Sequence, residues 1–131
     1  MSKKQNPLPN PTDAELELLQ VLWARGPCTV RQIHEALPKD TGYTTTLKIL
    51  QKMADKGLVV RDESERSHVY ESACGADVTQ RSLVRSLLDR AFGGAPGKLV
   101  MQALSEQTAT PEELAEIRRL IRKLEKKSSE S

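Results

Sequence analysis

Tyr43-Thr-Thr-Thr-Leu-Lys-Ile-Leu-Gln-Lys-Met-Ala-Asp-Lys-Gly57, followed at once by Leu58-Val-Val-Arg61, is the stretch on which the fold turns. On a helical wheel with Thr45 at zero, Thr46, Leu50 and Met53 fall at about 100°, 140° and 80°, an apolar stripe. Lys48 and Lys52 fall at about 300° and 340°, Thr44 and Gln51 at about 260° and 240°, so the opposite face is polar and basic. Gly57 suits the left-handed residue that ends a helix. Beyond it the period drops to two: Leu58 to Arg61 reads as a strand, Asp62 to Arg66 as a polar turn and His68 to Tyr70 as a returning strand.

Upstream, Thr12 with Glu15 forms a capping box ahead of Leu16, Leu18, Leu19, Val21, Leu22 and Trp23, and Gly26-Pro27 stops that helix. A second box, Thr29 with Gln32, opens a short helix carrying Val30, Ile33 and Leu37 and ending at Pro38. Three helices and then a hairpin is the order of a winged helix-turn-helix domain, expected over residues 11–75. A hairpin this small is unstable alone and must pack on the helices.

Downstream the helical period returns. Val84, Leu87, Leu88 and Ala91 share a face before Gly93-Gly94, and a short segment follows from about Lys98 to Glu106. A third box, Thr110 with Glu113, has Pro111 at the first helical position, where its missing N–H costs nothing. That last helix sets Leu114, Ile117, Leu120, Ile121 and Leu124 in a near-heptad stripe, with Arg118, Arg119, Arg122 and Lys123 on the polar side. Short helices of this kind bury little by themselves, so residues 76–125 are expected to pair with a second copy through Leu87, Leu88 and the stripe. The fold class is therefore mainly α with a small β-hairpin wing: a winged domain plus a helical dimerisation domain. Residues 1–10 and 126–131 are polar and expected to be disordered tails.

Composition narrows the function. In 131 residues, 20 Lys and Arg stand against 18 Asp and Glu, so any basic patch must be local. Between residues 43 and 61 lie Lys48, Lys52, Lys56 and Arg61 against Asp55 alone. Lysine neutralises phosphates and reads guanine edges, while threonine bonds phosphates or bases and meets the thymine methyl. In helix-turn-helix docking the N-terminal end of the second motif helix meets the bases, here Thr44, Thr45 and Lys48. Arg66 at the wing tip, Glu65-Arg66-Ser67-His68, suits the minor groove or backbone, and Thr29 and Arg31 suit a phosphate. With four aromatic residues in the chain, stacking on single strands or RNA is disfavoured.

No apolar run approaches a membrane span or a signal peptide, which places the protein in the cytoplasm. Cys28 and Cys74 read as reduced thiols. Together with His34 and His68 they match no metal-site spacing, and no Ser/His or Cys/His arrangement supports an enzyme. No metal and no cofactor are expected. The rival to DNA binding is a winged helix serving as a protein-interaction module, against which the clustering of Lys48, Lys52, Lys56 and Arg61 argues.

The stretches Thr12–Trp23, Thr29–Leu37, Tyr43–Met53, Lys56-Gly-Leu-Val59 and Phe92-Gly-Gly94 together resemble the penicillinase repressor family of BlaI, MecI and CopY type, over roughly residues 11–125. The resemblance implies a homodimeric winged-helix repressor on palindromic operators of resistance or stress genes. It matches the family's recognition helix to Thr44, Thr45, Thr46 and Lys48, then Gln51 and Lys52. Thr46 replaces a commonly apolar residue and Lys48 a common threonine, which implies a different operator. Members that sense β-lactams are cut at an Asn-Phe bond by a membrane sensor metalloprotease; Gln102-Ala103 stands at that place here. The copper-responsive branch carries Cys-x-Cys pairs near the C-terminus, and this chain has no cysteine after Cys74.

Overall fold

In the computed structural model, residues 10–64 and 66–130 are described. Helix α1 (Asp13–Arg25) starts at the first capping box: the Glu15 N–H donates to Thr12 Oγ1 at 3.2 Å and the Thr12 N–H donates to Glu15 Oε1 at 2.9 Å. Strand β1 (Cys28–Thr29) follows, and then α2 (Val30–Ala36), capped reciprocally by Thr29 and Gln32. Helix α3 (Tyr43–Lys56) ends as its glycine predicts. Gly57 has φ of 83°, its N–H donates to the Ala54 carbonyl at 3.1 Å, and the Leu58 N–H donates to the Met53 carbonyl at 2.9 Å. This pair of bonds is a Schellman motif. It spends Leu58 on the helix end, so β2 begins one residue later than the sequence suggests, at Val59, and runs to Asp62.

Strand β3 (Val69–Ser72) returns antiparallel to β2, pairing Arg61 with Tyr70 and Val59 with Ser72. Its other edge pairs with β1, Cys28 opposite Tyr70 and Thr29 opposite Val69. The sheet therefore has three strands in the order β1-β3-β2. The third strand was not foreseen, because two residues are too few to show a period.

The core is built from all these elements: Leu18, Leu19 and Leu22 of α1, Ile33 of α2, Leu50 and Met53 of α3, with Leu58, Val59 and Tyr70. Trp23 packs at its margin, and its Nε1 donates to the Cys74 carbonyl at 3.1 Å. Burying a Leu or Ile side chain is worth about 1.5–3 kcal/mol. With so many buried, the hairpin gains a platform it lacks alone.

Helix α4 (Ala76–Ala91) follows, then α5 (Pro96–Glu106) and α6 (Pro111–Glu130). The chain divides into two compact units after Ser86, within α4. In the first unit, the Asn10 amide donates to Ser86 Oγ at 3.1 Å, tying the segment before α1 to α4. In the second, α6 opens at the third capping box, with Thr110 and Glu113 exchanging bonds of 2.9 and 3.0 Å. α6 continues to Glu130, which corrects the expected tail from residue 126. Lys126 and Lys127 are good helix formers, and cations in a last turn complement the helix dipole. The expected N-terminal tail lies outside the described residues except for Asn10, as does Glu65 of the wing tip.

Candidate nucleic-acid interface

α3 packs on α1, α2 and β2 through one face only. Leu50 and Met53 are fully buried there, which holds Thr44, Thr45, Lys48, Gln51 and Lys52 outward, all exposed. Thr46 does not join them. It is completely buried, and its hydroxyl donates to the Gly42 carbonyl at 3.2 Å. Satisfied by the preceding turn, it sits in the core as an apolar residue would, so Thr46 is removed from the set of DNA-contacting candidates.

The basic cluster counted along the sequence is also reduced. Lys56 Nζ lies 2.8 Å from Glu15 Oε2, joining the C-terminal end of α3 to the N-terminal turn of α1. Burial pushes the Glu15 carboxyl up, but the bonds to Lys56 and Thr12 outweigh it and hold the pKa below its ordinary value. Arg61 Nε lies 2.7 Å from Glu63 Oε2. Hydrogen bonding to the Tyr70 phenol, then to Glu63, raises the guanidinium pKa further. Lys56 and Arg61 thus serve internal contacts. Among the described residues, Lys48 and Lys52 form no ion pair.

The other candidates come together across a fold boundary. Thr29, Arg31, Tyr43, Arg66, Ser67 and His68 line one cleft of 390 Å³ between the starts of α2 and α3 and the wing. Arg31 and Arg66, far apart in sequence, so flank the N-terminal end of α3, while Thr29 is engaged as the α2 cap. Gln51 lines a different depression, with Asp55, Val60, Arg61 and Glu63. The wing turn is braced by Asp62, whose Oδ1 accepts from the Ser64 N–H at 2.9 Å; that bond lowers the carboxyl pKa.

Tyr43 is a residue that sequence reasoning passed over. Its ring is half exposed at the start of α3 and meets the His34 ring edge-on, centroids 5.5 Å apart. The contact pins the end of α2 to the start of α3. A Tyr directly preceding the Thr-Thr-Thr run was the available signal.

Among the described residues, no three His, Cys, Asp or Glu side chains gather as a metal site, and Cys28 and Cys74 are free thiols. No described helix is long and apolar enough to cross a membrane.

In the second unit, Gln102 and Ala103 lie exposed on α5. Leu87, Leu120, Ile121 and Leu124 are exposed at 39%, 55%, 47% and 54%, while Leu88, Leu114 and Ile117 are half-buried.

Residues 11–123 match the family described as penicillinase repressor. The chain is 34% identical over 116 residues to the transcriptional regulator BlaI of Mycobacterium tuberculosis, covering 86% of this chain and 83% of that one. It is 20% identical over 116 residues to the penicillinase repressor of Staphylococcus aureus, covering 87% of this chain and 92% of the relative. Among solved structures, a cysteine-to-serine mutant of MarR from E. coli, complexed with operator DNA, overlaps with a TM-score of 0.49 at 18% identity, over 88% of this chain and 76% of that chain. A three-helix domain with a sheet wing, followed by amphipathic helices and matched by the family over nearly its whole length, places this chain in the penicillinase repressor family.

Proposed function

We propose that this DNA-binding transcriptional repressor reads a palindromic operator as a homodimer, with α3 of each copy in a major groove. The observation that carries the reading is the exposed row of Thr44, Thr45, Lys48 and Lys52 on a helix whose other face is locked in the core. Lys48 supplies a charged donor for a guanine edge or a phosphate, and the threonines supply hydroxyls and methyls for bases and backbone. Arg31 and Arg66, flanking the same helix end, suit the phosphates on either side, with Thr29 beside them.

Two copies are needed for a palindrome, and the second unit offers the means. The exposed stripe Leu120, Ile121 and Leu124, continued by Leu114 and Ile117 and joined by Leu87 and Leu88, is the surface we assign to pairing. Residues 11–75 then serve as the reading domain and 76–125 as the pairing domain. The dimer holds two α3 helices about 34–36 Å apart, or a multiple of that, on one side of the duplex. The repressor acts in the cytoplasm, and catalysis forms no part of the reading.

Release through a membrane sensor metalloprotease is the route of the family's β-lactam-sensing members, and the corresponding place here is Gln102-Ala103, where the altered residues leave another bond or another signal as the alternative. α5 supports this: it has no side-chain cap at its start and no buried residue, so local opening costs little. Fragment sequencing from induced cells tests it; a chain that stays intact while its genes are derepressed overturns it.

The experiment for the main reading is a footprint of the purified protein on fragments of its own genome at two salt concentrations. Discrete palindromic sites that survive moderate salt are the expected result. Diffuse binding lost with salt would instead favour the protein-interaction module.

A further inference from the structure

We propose that α6 carries a second duplex-DNA surface, built from Arg118, Arg119, Arg122, Lys123, Lys126 and Lys127, which grips phosphate backbone without regard to base sequence. With Leu114 at zero on a wheel, Leu114, Ile117, Leu120, Ile121 and Leu124 cluster at about 300°. The six cations spread from about 40° to 220°, centred near 130°, and so cover the half of the helix turned away from the stripe. All six are exposed, and between residues 118 and 127 Glu125 is the sole acid. Among the described residues none of the six forms an ion pair. The face of α6 therefore holds more unpaired positive charge than α3 and the strand after it, where Lys56 and Arg61 are taken by Glu15 and Glu63.

The arrangement is regular. Arg118, Arg122 and Lys126 form one row with steps of about 6 Å, and Arg119, Lys123 and Lys127 form a parallel row. Residues 118–127 cover about 13.5 Å of helix axis. A duplex of that length presents about eight phosphates, so six cations meet a comparable density of negative charge.

Other partners fit less well. A helix lying on an anionic membrane must bury its apolar stripe in the lipid, whereas here that stripe is the surface assigned to pairing with a second copy. An acidic protein would seek an apolar or aromatic anchor, and this face has none. Such a surface loads the protein onto bulk DNA and supports sliding toward its operator. The identity of the polyanion rests on the repressor reading.

The test uses the full-length chain and fluorescence anisotropy on operator and random-sequence duplexes across a salt series. Replacing Arg118→Gln, Arg122→Gln and Lys126→Gln together is expected to reduce the slope of log affinity against log salt on random duplex by about 2.7, since each phosphate contact contributes about 0.9. Affinity at low salt falls about tenfold or more. Arg118→Lys with Arg122→Lys retains the slope, because point charges suffice. Should the triple variant misfold by circular dichroism, Arg122→Gln alone is expected to lower the slope by about 0.9.

An unchanged slope in a folded variant overturns the proposal. So does an unchanged slope accompanied by loss of binding to phosphatidylglycerol vesicles, which would assign the face to a membrane. A wild-type chain that prefers its operator while the slope is unmoved sinks this inference and leaves the repressor standing. A chain with no operator preference whose slope still drops in the variant does the reverse.

Discussion

Helices α3 and α6 are written on the same plan, an apolar stripe opposite a cationic face, yet they end in different states. The α3 stripe is fully buried at Leu50 and Met53, and α1, α2 and β2 close over it. The α6 stripe stays about half exposed at Leu120, Ile121 and Leu124. Among the described residues, none after Ser86 belongs to the buried core. The first unit is thus complete as a single chain, and the second carries apolar surface that calls for a partner. An amphipathic pattern specifies that a face will be covered. It does not specify by whom.

The largest effect should separate the two units. Leu124→Asp would place an unpaired charge in the pairing seam, which costs about 3–5 kcal/mol of association. Sedimentation should then show monomers while the melting of the winged domain is unchanged; a mutant that remains dimeric would move the interface elsewhere. Leu50→Ala reverses the pattern. It opens a cavity in the finished core and should lower the stability of the first unit by about 2–5 kcal/mol in denaturant titration. Next comes the face held outward by that core: Lys48→Ala and Thr45→Ala should each weaken operator binding by about 1–3 kcal/mol without altering the melting curve. Unaltered affinity in both would remove α3 from the operator.

The smallest effect concerns the strut between α1 and α3. The Glu15 carboxyl ionises below its ordinary value of 4.5 in the fold, so its stabilising contribution is complete above that pH. It is lost as pH falls through the lower native value. Glu15→Gln should therefore cost about 1 kcal/mol near neutrality, the scale of one partly exposed ion pair, and flatten the acid limb of stability against pH. An acid limb identical to wild type would show that Lys56 gains nothing from its partner.

Much of this was legible in one dimension. Each capping box, Thr12 with Glu15, Thr29 with Gln32 and Thr110 with Glu113, marks a helix start, because a cap is a bond between residues three apart. Gly57 ended α3 for an equally local reason, its φ of 83°. The wheel separated Leu50 and Met53 from Lys48 and Lys52 correctly, since periodicity follows from backbone geometry. The family match drew Thr46 toward the DNA face against its own wheel position, and its burial shows that the wheel was the better guide.

What one dimension does not hold is the choice of long-range partner. β1 exists only because β3 offers it an edge, across some forty residues. Lys56 reads as a free cation until α1 brings Glu15 to 2.8 Å, and Arg31 meets Arg66 across a cleft only once the wing has folded back. The amino-acid order by itself determined the capped helix starts, the end of α3, the hairpin of the wing and the amphipathic faces, because all of these depend on neighbours within a turn or a hairpin. The tertiary structure alone decided which charges are spent inside the molecule and which face outward, because a charge is cancelled by whatever lies nearest in space.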